Sequence, residues 1–297
     1  MNVYDCFMYF DEDLLLDLRL NILDKYVKKF IVTESTCMHN GSKKKLNFNI
    51  NNFKKFKDKI TYIVVDETPP GIIDLDEKDD KEKRESKKIF NAYKREIYQI
   101  EKTKEGVMDA NSEDIIIVSD LDEIPNLDKI NFNTIKERLI FFKQKMYYYK
   151  LNLLHETLPW YGSKACKMKY FRSPQWLRSI KNKKYPIWRL DTIFSKKKYN
   201  DIYFVENGGW HFTNIKKAED LEKKLLGFLH HVDYENSGLK LKDLKWMIKE
   251  KRVMYKHSLD KKLDKWGKGE KLTTTKIEEM PNYISENIEK YKLWLDI

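Results

Sequence analysis

The 297-residue sequence predicts an α/β fold with a mostly parallel sheet, because strand-like and helix-like segments alternate through its first half. The strand-like segments are continuous apolar runs, which are typical of strands that helices cover on both faces. The clearest is Asp114–Val118, whose last four residues are Ile or Val. Ligands of such sheets bind beyond the carboxyl ends of the strands, so the residues after each strand are the first candidates for a site.

The elements of this half follow from their apolar spacing, which has period two or no polar break in strands and period 3.6 in helices. We predict, in order, strand Val3–Phe10, helix Leu14–Val27, strand Phe30–Val32, strand Ile60–Val65, helix Lys87–Glu101 and strand Asp114–Val118. The charged segment Asp74–Lys88 is expected to be a solvated loop or a frayed helix start.

The second half differs in composition from the first. Residues 141–212 are rich in Tyr and Trp and read as strands, whereas the chain from Ile215 onward reads as helical and very basic. No linker separates the two parts. We therefore predict a single catalytic domain over residues 1–297 with a helical C-terminal extension.

Composition limits the class of protein. The chain has 58 Lys and Arg against 47 Asp and Glu, a net charge of +11, which favours an anionic partner or a Lys-rich surface that only keeps the protein in solution. Its 15 Phe, 18 Tyr and 7 Trp provide enough apolar surface to exclude disorder of the whole chain. No apolar run is long enough for a transmembrane helix, and no secretory signal is recognisable. Three single cysteines support neither a zinc ribbon nor a disulfide framework, so we expect a cytoplasmic protein.

The strongest local signal is the acidic turn Ser119–Pro125, directly after the best predicted strand. Asp120 and Asp122 are two residues apart, so in extended backbone both carboxylates point the same way, and Glu123 adds a third acid. Acids this close repel each other unless a cation joins them. Mg²⁺ or Mn²⁺ is the natural partner and commonly bridges to phosphates, so we interpret the turn as a D-x-D site for a metal and a nucleotide diphosphate. The alternative is an acidic turn that caps the next helix.

A second signal is the segment Glu206–Phe212, where two glycines precede Trp210 and His211. Trp210 offers a flat face for a sugar or a base. His211 has the chemistry to complete the coordination of the D-x-D metal or to bind a phosphate. The alternative is a hairpin turn with a packed tryptophan.

Two further segments contain candidate binding residues. Glu34, at the end of the second strand, is a candidate for binding ribose or uracil, although an ordinary polar loop explains it equally well. The basic and aromatic stretch from Trp160 to Arg178 includes Lys164 and is suited to holding a leaving diphosphate or to stacking on bases. Core aromatics among surface lysines are the alternative. The sequence contains no P-loop, G-x-G-x-x-G, G-x-S-x-G or H-E-x-x-H motif, which leaves NTPases, dinucleotide oxidoreductases, serine hydrolases and zinc proteases without support.

Four motifs occur together in one order and resemble glycosyltransferase family 17, the β-1,4-mannosyl-glycoprotein β-1,4-N-acetylglucosaminyltransferases. They are Tyr4-Asp5-Cys6-Phe7, Glu34-Ser35 with His39-Asn40-Gly41, Ser119-Asp120-Leu121-Asp122-Glu123-Ile124-Pro125 and Gly208-Gly209-Trp210-His211-Phe212. The resemblance runs from Val3 to about Tyr234. It implies a GT-A type fold (a Rossmann-like nucleotide-binding sheet flanked by helices), a UDP-sugar donor such as UDP-N-acetylglucosamine, a glycan acceptor, and inversion at the anomeric carbon.

The resemblance also implies residue roles. Asp120 and Asp122 would hold Mn²⁺ or Mg²⁺ and the donor diphosphate. His211 matches the Gly-Trp-His motif of the family, and its role as a ligand of the metal or of a phosphate is our own inference from its chemistry. The remaining donor-binding assignments are Asp5, Cys6, Phe7, Glu34, Lys164, Arg178 and Trp210. His231 with Asp233, or His230 in its place, resembles a later element. Residues 1–125 then form the nucleotide-sugar-binding half, residues 126–235 the acceptor and catalytic half, and residues 236–297 the basic extension.

The chain differs from the family's animal members, which carry a membrane anchor and stem before the catalytic region. This difference favours a cytoplasmic enzyme of bacterial or viral type, with at most weak contact to a membrane surface and no nucleic-acid partner. An inverting transfer needs a carboxylate base, for which Glu206 is the first candidate, followed by Asp191 and Asp233. A metal-dependent nuclease or nucleotidyltransferase, and a carbohydrate-binding protein without activity, are the alternative functions.

Overall fold

The structure, a computed structural model, describes residues 1–186, 188–192, 194–254, 266 and 269–297. The first half forms the predicted alternation of strands and helices. Its elements are β1 (Val3–Met8), α1 (Asp13–Leu23), β2 (Lys29–Ser35), β3 (Ile60–Val65), α2 (Lys81–Glu101) and β4 (Ile115–Val118), with 3₁₀ helices at Ile50–Lys59 and Lys102–Val107. The predicted strands and helices of this half are therefore confirmed.

The second half contains short strands followed by helices. The strands and one helix are β5 (Glu123–Pro125), β6 (Leu139–Phe142), β7 (Gln144–Tyr148), β8 (Leu153–Trp160), β9 (Lys164–Lys167), α3 (Pro174–Ser179), β10 (Ile202–Val205) and β11 (Gly209–Thr213). The C-terminal elements are α4 (Ala218–Gly227), α5 (His231–Ser237), α6 (Leu241–Lys249), β12 (Thr273–Thr274), α7 (Asn282–Glu286) and α8 (Ile288–Tyr291). Residues 255–265 and 267–268 of the predicted extension lie outside the described residues.

Among the described residues the strands form two sheets. The first has seven strands in the order β10-β6-β9-β4-β1-β2-β3, in which β4, β1, β2 and β3 are parallel and β9 is antiparallel to both of its neighbours. The second has five strands in the order β12-β8-β7-β11-β5. The α/β class and the parallel centre of the first sheet are confirmed, whereas the second sheet was not predicted.

Three helices differ from the sequence-based prediction, and the first of them, α1, ends at Leu23, four residues before the predicted end. Helix α2 begins about six residues earlier than predicted, because Asp80 accepts a hydrogen bond from the Lys83 N–H at 2.8 Å and caps the charged first turns. Helix α3 interrupts the stretch predicted to be strands, since Ser173 caps it and Pro174 occupies its first position. The Ser-Pro pair was a readable start signal.

The C-terminal helices pack on the core of the first half. Met280, Ile284, Tyr291 and Leu295 are buried in the same apolar cluster as residues of β1 and α1. Of the described helices, none combines the length and the apolar character needed to cross a lipid bilayer.

The side chain of Arg19 connects the first helix to the acidic turn after β4. It is fully buried and forms a two-point ion pair with Asp5 of β1, with nitrogen–oxygen distances of 2.6 and 2.8 Å. It also donates to the carbonyl oxygens of residues 120, 121 and 123 at 3.0, 3.2 and 2.9 Å, and to the Ser119 hydroxyl at 2.5 Å. These bonds fix the backbone of the turn relative to β1 and α1.

Arg19→Met should lower the free energy of unfolding by about 3–5 kcal/mol, because it leaves the buried Asp5 carboxylate without a partner. Urea denaturation measures the loss. Lys25→Met is the matched control, since Lys25 pairs with Asp128 at an exposed site and its removal should cost less than about 1 kcal/mol. Equal losses in the two variants would contradict this role for Arg19, and adding Asp5→Asn to Arg19→Met should recover part of the loss.

Candidate functional site

A cavity of about 340 Å³ lies at the carboxyl ends of β1 and β4. The acidic turn forms one wall, because the chain leaves β4, reverses at residues 119–122 and enters β5 of the second sheet. The charged and histidine side chains that line the cavity are Glu12, His39, Lys44, Glu96, Asp120, Asp122, Glu123, His211, Lys224 and His230. The structure thus places the predicted D-x-D acids and His211 in one cavity, at the edge where ligands of parallel sheets bind.

Asp122 lies between the imidazole of His211 and the ammonium group of Lys224. Its Oδ1 is 3.6 Å from His211 Nε2, and its Oδ2 is 3.9 Å from Lys224 Nζ. Burial raises the pKa of Asp122, but the charges of His211 and Lys224 outweigh burial and lower it to about 2. Burial conversely lowers the pKa of His211, and Asp122 outweighs it, so the net change is upward. Each of the two groups therefore shifts the pKa of the other toward its charged form.

The pairing of β5 with β11 brings His211 to Asp122. The two strands are antiparallel with His211 opposite Glu123, and the Phe212 N–H donates to the Asp122 carbonyl at 2.8 Å. The His211 ring also stacks on Trp160, with ring centroids 4.9 Å apart. Because side chains alternate along a strand, Trp210 is directed to the opposite face, where its indole N–H donates to the Glu279 carbonyl at 3.2 Å. Trp210, predicted to bind the donor, does not line this cavity.

Asp120 is bound by Arg178 of α3, whose Nη2 lies 2.9 and 3.2 Å from the two carboxylate oxygens. The same nitrogen is 3.2 Å from Glu96. Burial raises the pKa of Asp120, with the neighbouring acids adding to the rise and Arg178 opposing it. Asp120 and Asp122 are therefore in different electrostatic environments although they share one turn.

Lys164 positions the helix that carries Arg178. Its Nζ donates to the carbonyl oxygens of Arg178 and Ile180, at 2.8 and 2.5 Å, at the C-terminal end of α3. Burial lowers the pKa of Lys164 to about 7. Lys164 does not line the cavity, so its contact is with the backbone behind Arg178 rather than with the predicted diphosphate.

Glu123 is a structural part of the turn. Its two carboxylate oxygens accept from the Asp120 N–H at 2.7 Å and from the Trp160 indole N–H at 2.6 Å. Gly162 packs directly on this carboxyl, since a Cβ at that position would lie 2.0 Å from it. Glu123 therefore closes the turn and holds Trp160 against His211.

Sequence reasoning missed Glu12 and Lys224. Glu12 follows the first strand, a place where ligand-binding residues were expected, and it lies 3.3 Å from Lys224 and 3.7 Å from Lys216. Burial raises the pKa of Glu12, but the two lysines outweigh it and the net change is downward, so the carboxylate is ionised. Lys224 lies on α4, and the sequence contained no signal that this helix reaches the acidic turn.

The predicted catalytic bases do not line the cavity. Glu206 is 67% exposed and pairs with Lys143 at 2.8 Å, and Asp191 pairs with Arg189 and Lys198 on an exposed loop. Asp233 lies at the edge, where its carboxylate is 3.2 Å from Nδ1 of the cavity residue His230. His231 instead faces the Phe228 carbonyl at 2.8 Å.

The predicted donor-binding residues near the start of the chain are buried away from the cavity. Asp5 binds Arg19, and Cys6 and Phe7 belong to the apolar core. Glu34 pairs with Lys44 and accepts from the backbone N–H groups of residues 47 and 48 and from the Tyr62 hydroxyl. Because the Glu34 carboxylate already accepts these hydrogen bonds, it stabilises the 44–48 segment. This role differs from the predicted contact with ribose or uracil.

The donor set at Asp122 fits a divalent ion that phosphates help to hold. Over the described ranges, no three His, Cys, Asp or Glu side chains are grouped so that they could hold a metal alone. Asp122 and His211 nevertheless offer one carboxylate and one imidazole, and His211 Nδ1 is buried without a hydrogen-bond partner in the described part of the chain. Mg²⁺ and similar ions often bind through one or two carboxylates plus substrate phosphates.

The pairing of Asp122 with His211 predicts a pH-dependent contribution to stability. A carboxylate whose pKa is lowered on folding stabilises the protein above its unfolded pKa of ~3.9, and that contribution is lost as the pH falls through about 2. Urea denaturation at about pH 5 should show wild type more stable than Asp122→Asn, by up to about 2 kcal/mol from this source. The difference should shrink toward pH 2, and a difference that stays constant or grows would contradict the pairing.

Comparisons with known proteins identify the family. No curated protein sequence matches the chain. Among solved structures, the crystal structure of HddC from Yersinia pseudotuberculosis is similar, with 13% identity, 68% of this chain and 89% of that chain covered, and a TM-score of 0.30. The sequence model of glycosyltransferase family 17 matches residues 1–296. The chain therefore belongs to glycosyltransferase family 17 and is a glycosyltransferase.

Proposed function

We propose that this glycosyltransferase is a metal-dependent inverting enzyme of GT-A type. It transfers a sugar from a UDP-sugar, with UDP-N-acetylglucosamine as the first candidate donor, to a hydroxyl group of a glycan. The observation that carries the proposal is the array of Glu12, Lys224, Asp122 and His211, which line one cavity at the carboxyl ends of parallel strands. The array contains two carboxylates, one lysine and one histidine. It can therefore bind a cation and an anionic diphosphate in the same cavity.

Asp122 and His211 are the residues that would hold Mn²⁺ or Mg²⁺, and when bound the ion supplies positive charge to the departing diphosphate. Asp122 suits this role because its low pKa keeps it ionised. Lys224 and Lys44, which also line the cavity, add positive charge toward the phosphates. Arg178, held by Lys164 at its backbone, binds Asp120 and keeps that side of the turn in place.

Glu12 is the best-placed carboxylate for the base among the five that line the described cavity. The carboxylates of Asp120 and Glu96 both form ion pairs with Arg178. The Glu123 carboxylate accepts a hydrogen bond from the Trp160 indole N–H, and the Asp122 carboxylate faces His211. Glu12 is ionised, and its partners among the described residues are two lysines and a neighbouring backbone N–H. In the transfer, a Glu12 oxygen takes the proton of the acceptor hydroxyl, the hydroxyl oxygen bonds to the anomeric carbon, and the bond from that carbon to the diphosphate breaks on the opposite face.

Donor binding tests the proposal directly. Thermal unfolding of the full chain should shift upward with UDP-N-acetylglucosamine in the presence of Mn²⁺, and much less with chelator, because a ligand that binds only the folded state stabilises it. Asp122→Asn should lose the shift, whereas the matched exposed variant Asp109→Asn should keep it. No shift with any UDP-sugar and Mn²⁺ would contradict the donor assignment, and selective stabilisation by another nucleotide sugar would replace UDP-N-acetylglucosamine.

The role of Glu12 is tested by measuring kcat and donor binding separately in the same variant. Glu12→Gln should lower kcat by about 10²–10⁴-fold, the usual contribution of a general base, while leaving the donor-induced thermal shift in place. Asp11→Asn is the control, because Asp11 also pairs with Lys216 but does not line the cavity. An equal loss of turnover in both variants, or loss of donor binding in Glu12→Gln, would contradict the assignment.

A further inference from the structure

The segment 181–199 forms a loop whose two limbs are joined at its base. The Lys181 N–H donates to the Lys197 carbonyl at 2.8 Å, and the Tyr185 N–H donates to the Tyr199 carbonyl at 3.0 Å. Tyr185 packs between the limbs, within 6 Å of the charged groups of Lys183 and Lys198. We call this segment the 181–199 loop.

The far part of the loop exposes large apolar side chains. Trp188 is 81% exposed and Phe194 is 89% exposed, whereas most other large aromatic side chains of the described residues are buried or half-buried. In the sequence each stands beside an isoleucine, at positions 187 and 193, which lie outside the described residues. Exposed aromatic groups of this size in a monomer mark a surface that contacts another apolar phase or partner.

Positive charge surrounds these side chains. The loop has seven Lys or Arg and a single acid, Asp191, which is shared by Arg189 and Lys198. Four of the cations have no carboxylate of the described residues within 4.0 Å. They are Lys181, Lys183, Lys196 and Lys197. The loop therefore has a strong net positive charge that its own ion pairs leave uncompensated.

We propose that the 181–199 loop binds the surface of an anionic lipid bilayer. Trp188 and Phe194 enter the boundary between headgroups and acyl chains, where amphipathic and aromatic side chains are favoured, and the lysines on both limbs contact the lipid phosphates. The exposed Trp188 and Phe194 together with the unpaired lysines favour an anionic bilayer surface, because it offers an apolar boundary and phosphates at the same place. The binding lies on the surface and does not involve the donor cavity.

Co-sedimentation of the full chain with vesicles tests the proposal. Wild type should bind phosphatidylserine-rich vesicles and bind pure phosphatidylcholine vesicles far more weakly, and added salt should weaken the binding. Trp188→Ala with Phe194→Ala should reduce binding, whereas Leu293→Ala, a side chain equally exposed at 81% outside the loop, should not. Activity with a soluble donor and acceptor reports that the variants remain folded.

A second set of variants separates the loop from the net charge of the protein. Replacing the four unpaired loop lysines by Gln should weaken binding by roughly a thousandfold, or about fivefold for each lysine. The control replaces four exposed lysines elsewhere, which are Lys43, Lys45, Lys54 and Lys57. Equal losses in the two sets, or no binding of wild type to anionic vesicles, would overturn the proposal. So would tight, loop-dependent binding to single-stranded RNA without binding to vesicles, which would make nucleic acid the partner.

Discussion

The buried guanidinium of Arg19 is the interaction on which the site depends. It binds Asp5 of the central strand and three carbonyl oxygens and one hydroxyl of the turn after β4, and all of these bonds except the partly buried one to the Asp120 carbonyl are buried. Burying an arginine is costly, and the cost is recovered only when nearly every N–H has an acceptor. Because the acceptors belong to β1 and to the acidic turn, the turn has one favoured position relative to the sheet. The acids of the turn are thus in place before a ligand arrives, which is the condition for effective electrostatic catalysis.

The electrostatics of the cavity follow from how the cations are distributed around that turn. Asp122 faces His211 and Lys224 and is held ionised, whereas Asp120, whose side chain is 39% exposed, lies beside other acids and is bound by Arg178. Two acids that are adjacent in sequence therefore have different roles in the structure. Both carboxylates and cationic side chains line the cavity. This lining suits a divalent ion bound together with a diphosphate better than it suits either of them alone.

Much of the fold was predictable because apolar strands and amphipathic helices produce periodic patterns. The D-x-D turn was recognisable for the same reason, since it follows the most apolar strand. The second sheet was not predictable, because β5 has three residues and its partners come from distant parts of the chain. The face of Trp210 could have been predicted, since alternation along a strand directs it away from His211. The contacts of Glu34 and Lys224 could not have been predicted. Glu34 contacts the 44–48 segment and Lys224 reaches the acidic turn from α4, and no local sequence pattern encodes packing between such distant segments.

The central claim is that Asp122 and His211 bind a divalent ion together with a nucleoside diphosphate. The most direct measurement is anomalous diffraction from crystals of the protein soaked with UDP and Mn²⁺. The account predicts a manganese peak at coordination distance from the Asp122 carboxylate and the His211 imidazole, with the diphosphate on its open side. A cavity that holds UDP with no manganese peak near Asp122, or manganese bound only at exposed acids elsewhere on the surface, would contradict it.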